Sequence, residues 1–317
     1  MKVSVIIPIY NVEPFVKDCL DSVRGQTLED LEIICIHDAG QDRSFEIVKS
    51  IAAKDRRIRL LENDRNLGLA ATRNRGLLQA RGKYVYFLDS DDMVRQDALE
   101  LLYQSAEQEQ LEVQVFGSSF LYETDELEVR FQSNSATFKQ EYPEVMAGQD
   151  LFVQWMEVWD WISSQPRYFY NRNFLESRQI RYVEGMLHED EVFAFDVLMY
   201  AKRVKVTNDT FFIRRFRPGS IMTSTPTIQN VEGCVKILEH VSAMQKLYQD
   251  MPGLNHAVKH YMYKIFCDAK RKYQTAANVI QAETGGALIQ KVSGTMRENP
   301  TEMAIYHMIE AFGMEEM

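Results

Sequence analysis

Short apolar runs alternate with helically spaced apolar residues through the first 117 residues of this 317-residue chain, and few folds accept that pattern. Residues 3–9, 31–36, 58–61 and 84–88 are nearly continuous apolar runs, as in strands buried on both faces. Between them, Val12, Val16, Cys19, Leu20 and Val23 follow the spacing of one helical face. So do Phe45, Val48, Ile51 and Ala52, and then residues 69–80, closed by Gly82. A helix over about 95–109 and a strand over about 112–117 continue the alternation. Strands joined by single crossover helices build a doubly wound, mostly parallel sheet, so an α/β fold is predicted.

The pattern changes beyond residue 120. Residues 121–145 are polar without a period and read as a hairpin or excursion. Residues 151–161 are helical and aromatic-rich, and residues 203–206 and 210–216 read as two short strands. From about residue 228 the pattern is helical: 231–247, 256–273 and 302–312, punctuated by Pro252-Gly253, Gly285-Gly286 and Pro300. The expected organisation is an α/β domain over 1–225, with halves 1–117 and 118–225, and a C-terminal helical region over 226–317.

Composition narrows the function. Forty-six Asp and Glu residues outnumber 36 Lys and Arg, a net charge of −10, which argues against a nucleic-acid groove. None of Cys19, Cys35, Cys234 and Cys267 forms a C-x-x-C pair, so reduced thiols in a cytoplasmic protein are expected. The first apolar run is too short for a signal peptide and ends at Pro8, and no apolar stretch has the length of a membrane span.

In such sheets ligands bind beyond the carboxyl ends of the strands. The segments expected there are Pro8-Ile9-Tyr10-Asn11, His37-Asp38-Ala39-Gly40, the loop from Asn63 through Asn66 to Gly68, and Asp89-Ser90-Asp91-Asp92. In extended chain Asp89 and Asp91 face the same side, and Asp92 adds a third carboxylate. Carboxylates this close repel unless a cation neutralises them, and a hard divalent metal, Mn²⁺ or Mg²⁺, takes such oxygens and bridges a diphosphate. An exposed acidic turn capping the next helix would use the same residues. There is no G-x-G-x-x-G after the first strand and no G-x-x-x-x-G-K-[ST], so dinucleotide and P-loop folds are disfavoured. A nucleotide would be held instead by stacking on Tyr10, a hydrogen bond to Asp38 and the guanidinium of Arg73.

Together these residues resemble the family 2 glycosyltransferases, which have the GT-A fold. The resemblance lies in residues 3–11, in Cys19 to Val23 with Gln26-Thr27, in Asn66-Leu67-Gly68 with Ala71 to Gly76, and in Phe87 to Asp92. It implies an inverting, metal-assisted enzyme of bacterial surface-polysaccharide assembly, using a UDP-sugar donor and a glycan or lipid-linked glycan acceptor. Residues 1–117 would bind the nucleotide sugar and 118–225 the acceptor. Pro8, Ile9, Tyr10, Asp38, Asn66, Gly68 and Arg73 would hold the nucleotide, Asp89, Ser90 and Asp91 the ribose and metal, and Asp91 and Asp92 would ligate the metal. The family has an acid where this chain has His37, which bears on nucleotide selectivity.

Inversion needs a base that takes the acceptor hydroxyl proton. The run His188-Glu189-Asp190-Glu191 opens an apolar helix, where macrodipole pairing also favours acids. It resembles the family's E-D motif, which makes Asp190 the base and gives Glu189 an acceptor-contacting or orienting role. Arg215 and Arg217 share a side and suit phosphate oxygens, similar to a family motif at the rim. Trp155, Trp159 and Trp161 read as packing or as an acceptor wall. The near-neutral tail is not a strongly lipid-binding basic helix, and it leaves open an acceptor domain, a homodimer surface and peripheral contact with the inner membrane face. Two other functions compete: a non-catalytic nucleotide-sugar-binding module or partner subunit, and a nucleotidyltransferase. The latter would need a Gly-rich basic loop that residues 10–14 do not provide.

Overall fold

Every residue of β1 (Val3–Ile9) and β2 (Leu31–His37) is buried, as a strand covered on both faces requires. A computed structural model describes residues 1–132, 136–220 and 223–284. They form two compact units. The first comprises Met1–Gly185 and Phe193–Thr223, and the second Met186–Val192 with the chain from Ser224 onward.

In the first unit β1 and β2 are followed by β3 (Ile58–Glu62) and β4 (Tyr84–Phe87), with α1 (Val16–Arg24), α2 (Ser44–Ala52) and α3 (Leu69–Gln79) as crossovers. The sheet continues through β5 (Met93–Val94), β6 (Val113–Tyr122), β7 (Tyr168–Asn171) and β8 (Val204–Phe216), in the order β3-β2-β1-β4-β7-β6-β8-β5. The chain winds outward from β1 to β3, then returns to lay β4 on the other side of β1, parallel to it. That reversal opens a crevice at the carboxyl ends of β1 and β4. One face of the sheet is covered by α1, whose Val16, Cys19, Leu20 and Val23 join the core with Val5, Ile7, Ile33 and Leu99 of α4 (Ala98–Gln108). Burying each such side chain stabilises by about 1.5–3 kcal/mol.

The second half of the sheet departs from the pattern read in the sequence. The strand β7 is antiparallel to both β4 and β6, so the sheet is mixed beyond β4. Residues 203–216 were expected as two strands but form one, β8, running parallel to β6. Continuity comes from irregular register at Gly117, which lets Thr207 pair with Phe116 and Thr210 with Gly117. A side chain there would strike the Asn208 carbonyl at 2.8 Å. The polar excursion contains α5 (Asp125–Phe131), started by the Thr124 hydroxyl accepting from the Leu127 amide at 3.3 Å. The aromatic helix is α6 (Gly148–Val158), and α7 (Arg172–Ser177) follows β7. The helix α8 (Glu189–Tyr200) begins in the second unit and ends in the first.

The described residues of the second unit are mostly helical. Thr227 and Asn230 form a capping box at the start of α9 (Ile228–Gln245), which packs against α10 (Pro252–Thr284). On α10, Leu254, Val258, Tyr261, Met262 and Ile265 are buried at intervals of three and four residues. The helix expected over 302–312 lies outside the described residues. No helix among the described residues is long and apolar enough to cross a membrane.

Within the first unit α6 starts against α8 so closely that a Cβ on Gly148 would sit 2.2 Å from the Leu198 carbonyl oxygen. Gly148→Ala must force backbone apart, so thermal unfolding should show a loss of about 1–3 kcal/mol.

Candidate active site

The crevice is built from strand ends that lock one another. Tyr10, immediately after β1, is 47% exposed. Asn11 adopts a left-handed conformation, φ 51°, and its Oδ1 accepts from the Gln41 amide at 2.8 Å. The Asp38 amide donates to the Ile9 carbonyl at 2.9 Å. His37 stacks on Phe45 with ring centroids 4.2 Å apart, and its Nε2 accepts from the Gly40 amide at 3.0 Å. His37 thus shapes the loop beside Asp38. Pro8 and Ile9 are buried within β1 and support Tyr10 through the backbone.

Asp38 serves the loop that follows β3. Its carboxylate accepts from Asn63 Nδ2 at 2.7 Å, from the Leu67 amide at 2.8 Å and from the Gly68 amide at 3.0 Å. The Asn66 side chain also accepts from the Gly68 amide, at 3.0 Å. Gly68 has φ 86°, a region that favours glycine, and it starts α3. Asp38 is 3% exposed, so its main visible work is to hold this loop. Arg73, one turn into α3 and 3% exposed, reaches Asp89 Oδ1 with Nη2 at 2.6 Å, and its guanidinium lies 5.2 Å from the Tyr182 ring centroid.

The acidic turn after β4 carries the strongest electrostatics. The Asp92 amide donates to the Asp89 carbonyl at 3.0 Å, closing the turn. Asp92 is 6% exposed, and burial, then repulsion from Asp91 and Asp89, holds its carboxyl well above the usual range. Asp91 is also raised, by burial and then by Asp89. Ser90, which precedes Asp91, is buried. The end of β8 brings compensation. Arg217 Nε donates to Asp91 Oδ2 at 2.8 Å, the Arg215 amide to Asp92 Oδ1 at 2.7 Å, and Arg215 Nε to the Asp91 carbonyl at 3.0 Å. Both guanidinium groups lie over Phe15, at 5.1 and 4.9 Å from its centroid. Arg215 also pairs with Asp18 at 3.0 Å and with Glu123. Nothing local in sequence points to Phe15, Asp18 or Glu123, since Asp18 and Arg215 are 197 residues apart.

The donor set suits a hard divalent cation: oxygen ligands only, on buried acids whose mutual repulsion a cation would relieve. The expected three-acid cluster is not assembled, however. Among the described residues no three His, Cys, Asp or Glu side chains group to enclose a metal. Asp89 Oδ1 instead meets Arg73 Nη2 at 2.6 Å, and Asp91 Oδ2 meets Arg217 Nε at 2.8 Å. Trp155 does not form an acceptor wall, because it is fully buried and stacked on Phe138.

Glu189, Asp190 and Glu191 open α8 within the second unit. Asp190 Oδ1 accepts from the Glu191 amide at 3.0 Å, and Glu189 is 7% exposed. His188 before them is left-handed, φ 63°, and its Nε2 faces Lys272 Nζ at 2.9 Å. Burial, and then the Lys272 ammonium, push the imidazole down to about 4.

The sequence profile described as Glycosyl transferase family 2 matches residues 4–178, more than half of the chain. The chain belongs to glycosyl transferase family 2. Among curated members of the family, it is 35% identical over 226 residues to the uncharacterized glycosyltransferase EpsJ of Bacillus subtilis, covering 69% of this chain and 62% of EpsJ. It therefore spans about three fifths of that relative's length. Among solved structures, S. aureus TarS 1-349 in complex with UDP-GlcNAc aligns with a TM-score of 0.62 at 24% identity, covering 76% of this chain and 66% of that one. The mannosyltransferase PcManGT of Pyrobaculum calidifontis, in complex with GDP-Man and Mn²⁺, aligns at 0.58 and 15% identity, covering 97% and 86%. Both likenesses support the GT-A fold for this family member.

Two outcomes follow from the charges. Asp92→Asn keeps the acceptor for the Arg215 amide but removes a repelled charge. In metal-free protein near neutral pH it should raise the melting temperature, by about 2–4 °C for each kcal/mol of repulsion relieved. The second concerns His188, whose folded-state value lies below the ordinary 6.5. Between those values the unfolded chain binds more protons, so stability is full above about pH 6.5 and is lost as pH falls towards 4. His188→Gln should flatten that part of a melting-temperature profile against pH.

Proposed function

We propose that this chain is an inverting glycosyltransferase that moves a sugar from a UDP-sugar to a hydroxyl of a glycan or lipid-linked glycan. The observation that carries the reading is the partly buried acidic turn at the switch point of the sheet, with Arg73, Arg215 and Arg217 around it. The UDP-GlcNAc complex of TarS and the GDP-Man and Mn²⁺ complex of PcManGT support it, as does the chemistry of the crevice. Tyr10 stacks on the base, while the Asp38-held loop and Arg73 bound the nucleotide. Asp89 and Ser90 meet the ribose.

Asp91 and Asp92 would hold Mn²⁺ or Mg²⁺, which offsets the charge of the departing diphosphate. Arg217, now on Asp91, can fork onto a phosphate oxygen instead. Asp190 takes the acceptor hydroxyl proton as the oxygen forms its bond to the anomeric carbon. The bond from that carbon to the diphosphate breaks, and its electrons leave with UDP. Attack opposite the leaving group inverts the centre. Glu189 orients the acceptor side.

With Mn²⁺ and a panel of nucleotide sugars, one UDP-sugar should give slow UDP release in water and faster release with its acceptor. Asp190→Asn should lower turnover by about 10²–10⁴-fold while UDP affinity by calorimetry stays within twofold. Donor binding without turnover under every condition would instead favour the non-catalytic binding module.

A further inference from the structure

The geometry points to a task for the C-terminal helices: α9 and α10 brace the segment that carries Asp190, with Lys272 and Tyr261 as positioning residues. This rests on the reading of Asp190 as the base.

Met186–Val192 belongs to the same compact unit as α9 and α10, and the contacts explain why. Each side of Asp190 is gripped. Two residues before it, His188 Nε2 accepts from Lys272 Nζ at 2.9 Å and lies 3.4 Å from Asn230 Nδ2. One residue after it, Glu191 Oε2 accepts from the Tyr261 hydroxyl at 2.6 Å. Tyr261 and Lys272 are both on α10, and eleven residues make about three turns, so they project from one face of the helix. On α9, a Cβ at Gly233 would lie 2.4 Å from the Leu187 carbonyl oxygen. The helix backbone therefore abuts the segment where only glycine fits.

These contacts are specific. Lys272 is 14% exposed, and its ammonium meets Asp268 at 2.6 Å and Cys234 Sγ at 3.7 Å as well as His188. A buried ammonium is costly unless its donors are satisfied, so Lys272 is fixed in place by this set of partners. It needs an acceptor from His188, and the neutral imidazole provides one. His188 in turn holds a left-handed backbone that a residue with a Cβ adopts only under constraint. That turn sets the direction in which α8 starts, and so where the Asp190 carboxylate points. Displacement of a reacting group by about 1 Å costs on the order of 10²-fold in rate.

The test uses the full chain with Mn²⁺, UDP-glucose and UDP-GlcNAc as donors and water as acceptor. UDP release is followed against donor concentration and pH, with UDP affinity by calorimetry. Lys272→Met should lower kcat about 10–100-fold and move the acid limb of the pH profile, with KM and UDP affinity within twofold. Tyr261→Phe should lower kcat less, and Lys272→Arg should recover part of it. Wild-type kcat and acid limb in Lys272→Met and Tyr261→Phe, beside an inactive Asp190→Asn, would overturn the brace and leave the base standing. Loss of UDP affinity in step with kcat in Lys272→Met would make Lys272 a general stability residue and also overturn it. Full turnover in Asp190→Asn would remove the base reading and this inference with it.

Discussion

Three carboxylates in a four-residue turn, one of them nearly dry and one largely covered, repel one another, and distant parts of the first unit converge to neutralise them. The turn stays put because cations arrive from other elements: Arg73 from α3, and Arg215 and Arg217 from the end of β8. This electrostatic need links the two halves of the sheet. The two-residue strand β5, directly after the turn, pairs with β8 and fixes the arginines beside the acids. Under the proposed function each ion pair would have a second use: its guanidinium would meet the diphosphate, and its carboxylate would meet the cation.

The loops around the turn are held by a different device. Asp38 organises the segment after β3 by accepting two backbone amides and one side-chain amide. His37 does the same for its own loop through the Gly40 amide. These loops are thus ordered by the fold itself, so less ordering entropy remains to be lost on binding.

The parallel half was legible because each element there declares itself locally. Residues 3–9 and 31–36 are nearly continuous apolar runs, and Gly68 starts α3. β7 was not legible. Its four residues, Tyr-Phe-Tyr-Asn, carry no alternation, and they become a strand only because β4 and β6 present edges to them. β8 looked like two strands because Asn208-Asp209 has turn chemistry, which the irregular pairing opposite Gly117 absorbs. In the site, the acids and their two rim arginines stood out by spacing. Phe15, Asp18, Lys272 and Tyr261 did not, because each matters through a partner far away in the chain, and single-sequence patterns see only neighbours.

The pair between Asp91 and Arg217 joins residues 126 positions apart. During synthesis the acidic turn therefore leaves the ribosome long before its counter-charge exists. With translation at about 5–20 residues per second, the gap lasts many seconds. Throughout that interval β1 to β4 can assemble from local crossovers, with Arg73 available to Asp89 while Asp91 still lacks its guanidinium partner. Closure by β8 comes late, since long loops delay non-local pairing. The acidic mouth of the nascent chain thus acquires its last cation only when nearly the whole first unit has been made.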